Sequence, residues 1–148
     1  MTWTKLLASH DVQSHRTSKR EVDDLRALIA RDLADAKVPG LSVDRRFATA
    51  YNAALLATHM AIACAGYRVT AKAGHHRISF DSSKLALGAG AAKYADYFDT
   101  CRRKRNLIDY TRSSVATETE ALEIVEQATD FHEFVEAWIG QNFPALKR

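Results

Sequence analysis

Cysteine, proline and glycine are all scarce in this chain: two, two and six in 148 residues. Cys64 and Cys101 stand alone in helical patterns, without a C-x-x-C or Cys/His spacing, which argues against a zinc site or a redox pair. They read as small buried hydrophobes. No Gly/Pro/Ser-rich run divides the chain, so a single domain spanning 1–148 is expected. Sustained two-residue alternation with hairpin signals is missing too, and with it any expected sheet. Repeats of 20–50 residues are absent. The most apolar segment, Ala53 to Tyr67, is interrupted by Thr58 and His59 and is short for a bilayer span, and the N-terminus lacks a signal-peptide pattern. A cytoplasmic protein with no membrane association is the expectation.

What is present is helical periodicity. Ser18-Lys19-Arg20-Glu21 has capping-box form, and Val22, Leu25, Ile29 and Leu33 follow at helical spacing until Val38-Pro39-Gly40 stops the pattern. Ahead of it, Trp3, Leu6 and Leu7 suggest a short packing turn, and His10 to Thr17 a loop. A second helix, capped by Ser42 or Asp44, runs through Phe47, Tyr51, Leu55 and Ile62 to Val69, apolar on nearly every side, as a central helix should be. Ile78, Phe80, Leu85 and Leu87 mark a short helix after Ala73 to His76. A fourth spans about Ala91 to Tyr110, and Thr117-Glu118-Thr119-Glu120 opens a fifth with core positions Ala121, Ile124, Ala128, Phe131, Val135 and Trp138. The fold class expected is all-α: an antiparallel bundle of four to five helices.

Charge is unevenly spread. The formal net charge is +3, yet Thr117 to Ala137 holds seven acidic residues and no Lys or Arg. This describes either a solvated acidic helix face or a domain with one acidic face and one basic cleft. The basic side concentrates in Cys101-Arg102-Arg103-Lys104-Arg105-Asn106. Arg105 falls in register with the apolar positions Tyr94, Tyr97, Phe98, Cys101 and Ile108. A guanidinium there must meet a carboxylate, a carbonyl or an anion in a cleft, because burial without a partner costs several kcal/mol.

Arg102, Arg105, Asn106 and Asp109 lie within three or four residues of one another on a helix and share one side. Two guanidiniums and an amide can hold a phosphate. The competing reading pairs Arg105 with Asp109 or another acid and leaves Arg103 and Lys104 in solvent. His75 and His76, beside a helix boundary, can supply a proton-transfer group or a phosphate contact, or merely cap a loop. His59 reads as a satisfied core histidine and His132 as a boundary residue; none of these histidines has metal-ligand spacing. Gly88-Ala89-Gly90 lacks the strand and the Gly-Lys-Ser/Thr ending of a phosphate loop and reads as a helix break.

From Ser42 to Ile139 the order of elements, focused on Arg105-Asn106-Leu107-Ile108-Asp109-Tyr110, resembles the HEPN family (higher eukaryotes and prokaryotes nucleotide-binding). Active members carry an Arg, usually followed by a polar residue, and a His about five to seven positions after the Arg. They act as metal-independent endoribonucleases at a dimer cleft. Here Arg105 and Asn106 match the first half, and Tyr110 stands in place of the histidine. A phenol is a poor base at neutral pH. The resemblance therefore implies a homodimeric nucleotide- or RNA-binding domain with a degenerate ribonuclease motif. Its cleft would be lined by Arg102, Arg105, Asn106, Asp109, Tyr110 and His76, without a cofactor or metal. It also implies a nucleotidyltransferase partner in a toxin–antitoxin pair. Two alternatives stand beside this: weak cleavage through Tyr110 or His76, and a protein-interaction module without enzymatic activity.

Overall fold

A computed structural model describes residues 1–110 and 113–148, with the side chains of Asp109 and Tyr110 outside the described set. Six α-helices account for most of it: α1 (Trp3–Ala8), α2 (Lys19–Asp35), α3 (Val43–Cys64), α4 (His75–Leu87), α5 (Ala92–Tyr110) and α6 (Glu118–Asn142). The all-α class expected from the periodicity is the observed one.

The helix starts follow the capping logic. Ser18 Oγ accepts from Glu21 N, Ser42 Oγ from Arg45 N, and Thr117 and Glu120 form a reciprocal capping box. Ser42, not Asp44, caps α3; Asp44 instead accepts from the N–H groups of Val115 and Ala116 at 3.0 and 2.8 Å, tying the start of α3 to the segment before α6.

Helix α3 is the axis of the fold and packs against α2, α4, α5 and α6. Ala50, Ala53, Ala54, Ala57 and Ala61 are all essentially inaccessible, and such small side chains let four neighbours approach one helix. By length and composition α3 also satisfies the requirements of a membrane span, but 78% of its most apolar window is buried inside the fold. That is compatible with the core helix of a soluble protein. Phe80, Phe98 and Phe131 fill the space between α4, α5 and α6, with ring centroids 5.9 Å and 5.6 Å apart along that series. On α4 the buried Ser79, Ser82 and Ser83 donate to carbonyls one turn back, which satisfies their hydroxyl protons within the helix.

Three expectations are corrected. The central helix stops at Cys64 rather than Val69, because Gly66, at φ +100°, turns the chain out of the helix. Residues Tyr67–Val69 (β2) then pair antiparallel with Val12–Ser14 (β1), so a two-stranded sheet exists where none was expected and where His10 to Thr17 read as loop. Three residues per strand are too few for alternation to register in sequence. Finally, the N-terminal turn is a full short helix, α1, anchored by Trp3 stacking on Tyr67 with ring centroids 4.1 Å apart.

Candidate nucleotide-phosphate cleft

Gly74, at φ +80°, is the cap of α4 and offers no side chain, so the first-turn N–H groups of that helix lack a side-chain acceptor. The next two residues, His75 and His76, face Arg102, Arg105 and Asn106 of α5 across a cleft of about 370 Å³. Four of the predicted site residues, His76, Arg102, Arg105 and Asn106, thus converge in one place, and His75 joins them. Asp109 and Tyr110 were expected to orient Arg105 and to replace the motif histidine; their side chains lie outside the described residues.

The charge in this cleft is held in specific ways. Asp99, one turn earlier on α5, accepts from Arg102 Nε at 3.0 Å, which orients the guanidinium while leaving its two terminal nitrogens for a ligand. Arg105 lies over the ring of Tyr51, its Cζ 5.7 Å from the centroid. Lys104, read from sequence as solvated, pairs with Glu120 of α6 and is turned away from the cleft lining.

Tyr51 is fully buried in α3 and places its hydroxyl 3.1 Å from His76 Nδ1. Burial raises the phenol's pKa, so it stays protonated. A buried hydroxyl needs an acceptor, and Nδ1 is the one within reach, so His76 accepts there and carries its proton on Nε2. Burial, with the nearby charges of His75, Arg105 and Arg102, lowers the His76 pKa to about 4. His76 is therefore a neutral N–H donor near pH 7.

His75 has the opposite tautomer. Its Nδ1 donates to the Lys72 carbonyl at 2.9 Å, so when the ring is neutral the lone pair is on Nε2. The rings sit edge to face with centroids 4.5 Å apart. Two adjacent histidines thus present one donor and one acceptor.

Sequence reasoning missed Tyr51, which reads as an ordinary core position of α3. The true buried arginine is also elsewhere. Arg26 of α2 donates through Nε and Nη2 to Glu136 of α6 at 2.8–3.1 Å, through Nη1 to Asp23 at 2.8 Å, and through Nη2 to the Leu146 carbonyl at 2.6 Å. His132, expected at a boundary, is buried with Nε2 3.3 Å from Glu136. His59, expected to be a satisfied core histidine, has a partner at one ring nitrogen only, Nε2, 3.2 Å from Ser79 Oγ. Cys64 and Cys101 are buried, and burial pushes both thiols up to about 11, away from reactive thiolate. Among the described residues no group of three or more His, Cys, Asp or Glu is placed to hold a metal ion.

No protein-family description, curated protein or solved structure matches this chain.

Proposed function

We propose that the cleft between the N-terminus of α4 and the middle of α5 binds a phosphate of RNA or of a nucleotide. The observation that carries this reading is the convergence of Arg102, Arg105, the neutral N–H of His76 and the first turn of α4, which has no side-chain cap, on one cleft that no carboxylate lines among the described residues. Guanidiniums supply charge and forked donors, the helix terminus adds a positive partial charge, and His76 adds a donor without placing a third cation in the cleft. Asn106 can reach a base edge or a ribose. The HEPN-like resemblance points to the same residues, and it leads to a nucleotide-binding member that works as a homodimer.

One observation favours a second reading, slow RNA cleavage. When its ring is neutral, His75 of the cleft lining carries a lone pair on Nε2, the kind of atom that accepts a 2′-hydroxyl proton. Its neighbour His76 is neutral and donates from Nε2, and a neutral imidazole is a weak acid for a leaving oxygen. Binding is therefore the primary reading and cleavage, if any, is slow.

The deciding experiment measures binding and cleavage of pooled cellular RNA by the wild type and by Arg105→Ala and Arg102→Ala, with folding monitored by circular dichroism. Wild-type binding that weakens about tenfold or more in each variant is expected, given what one charge-assisted contact contributes. Equal binding by all three would overturn the phosphate reading. Rapid cleavage that disappears in His75→Gln would replace it with the nuclease reading.

A further inference from the structure

A second cavity, of about 470 Å³, lies between α2, α3 and the β2 strand and shares no lining residue with the cleft. This is within the size range of small-molecule sites. Its walls are aliphatic: Leu25, Ile62 and Val69. The exposed Gln13 and Arg68 bring donors to its lining, while its less exposed polar side chains offer acceptors. Ser79 Oγ gives its single proton to the His75 carbonyl at 2.8 Å, so at 3.2 Å it accepts from His59 Nε2–H. His59 then carries a lone pair on Nδ1, and among the described residues no protein donor bonds that atom. Burial lowers the His59 pKa to about 4, which keeps the ring neutral and the lone pair available. Nearer the rim, Glu21 accepts from His15 Nε2 at 2.8 and 3.0 Å and from Thr17, and a carboxylate still has lone-pair capacity beyond these bonds.

An apolar slot whose interior polar groups are acceptors selects a ligand that brings its own donors. We propose that this cavity takes an amino-substituted nucleobase: flat faces against the aliphatic walls, an exocyclic N–H donating to His59 Nδ1, and any attached ribose phosphate directed to the exposed Arg68 at the mouth. The site is independent of the phosphate cleft and does not rest on the reading given for it. The base can come from a free nucleotide or from a strand of RNA; the chemistry at His59 is the same.

The test is a histidine-selective ¹H–¹⁵N spectrum of the intact protein, titrated with AMP, with purine ribonucleotide lacking the amino group, and with oligoadenylate. AMP or oligoadenylate is expected to move the His59 Nδ1 resonance away from its free-acceptor position. The analogue without the amino group should bind roughly tenfold more weakly, the worth of one hydrogen bond. Ala71→Trp, which adds bulk at the exposed mouth, should abolish the response. A response to AMP alone assigns the site to a free nucleotide, and a response to oligoadenylate alone assigns it to a base within RNA. No movement of His59 with either ligand, an equal response without the amino group, or a response that survives Ala71→Trp would each overturn the proposal. Arg105→Ala separates the two sites: a His59 response that persists there while RNA affinity falls shows two independent pockets, and its loss in that variant would overturn the independent site.

Discussion

Two arginine-centred regions of this protein use the same chemistry to opposite ends. At one, Arg26 is enclosed: Glu136, Asp23 and the Leu146 carbonyl take its donors, and the side chains of Arg26 and Glu136 are 10% and 4% exposed. At the other, Arg102 and Arg105 open onto a cleft with His76, and the carboxylate that touches Arg102 holds it from its Nε edge. The first arrangement joins α2 to α6 and to the C-terminal turn at Pro144–Leu146. The second leaves the terminal nitrogens of Arg102 without a protein acceptor among the described residues. An arginine whose hydrogen-bonding edges are all occupied by the protein is structural; one held by a single edge can serve a ligand.

The contrast can be broken most severely at the closed end. Glu136→Ala leaves the Arg26 guanidinium buried without its main counter-charge and should cost about 3–5 kcal/mol in urea or thermal unfolding. Replacing both partners, as in Arg26→Met with Glu136→Leu, should recover most of that loss; if it does not, the pair contributes more than charge neutralisation.

Acid separates the two regions by pH window. His76 and His59 are held neutral in the folded state, with pKa values near 4 against 6.5 in the unfolded chain. The unfolded state therefore takes up protons first, and stability falls as pH drops from about 6.5 toward 4, by on the order of 2–3 kcal/mol for the well-buried His59. Glu136 behaves otherwise. Burial would raise its pKa, but His132, with Nε2 3.3 Å away, and the hydrogen-bonded Arg26 guanidinium prevail and hold it at about 2, against 4.5 unfolded. Its contribution is present above pH 4.5 and is lost between there and pH 2. Unfolding measured across pH should show two successive losses, and Glu136→Gln should remove the lower one alone.

At the open end, Arg105→Ala should weaken RNA binding about tenfold yet change stability by about 1 kcal/mol or less. The slope of log K against log salt should become shallower by about 0.7, one phosphate contact on a single strand. A large stability loss with unchanged RNA affinity would make Arg105 a structural residue like Arg26. The smallest effect belongs to a feature outside both regions: Thr117→Ala breaks the capping box of α6 and should cost about 1 kcal/mol by thermal melting, without altering RNA affinity.

Much of this was legible in the chain because it is local. The starts of α2, α3 and α6 are written in Ser18, Ser42 and Thr117, whose hydroxyls reach an N–H three residues on, and the shared face of Arg102, Arg105 and Asn106 follows from helical spacing alone. The end of α3 was not, since the pattern stays apolar to Val69 and only the glycine conformation at Gly66 and pairing with a strand more than fifty residues earlier divert it. The site was half legible. His76 is placed opposite Arg105 by the packing of α4 on α5, and Tyr51 meets His76 across 25 residues of sequence.

The sequence by itself determined the all-helical class, the helix caps and the basic face of α5, because each depends on spacing or contacts within a turn or two of chain. The tertiary structure alone decided which arginine is enclosed and which faces a cleft. Arg26 meets Glu136 from 110 residues away, and whether a guanidinium finds a carboxylate at that range depends on how helices pack, which no local spacing encodes.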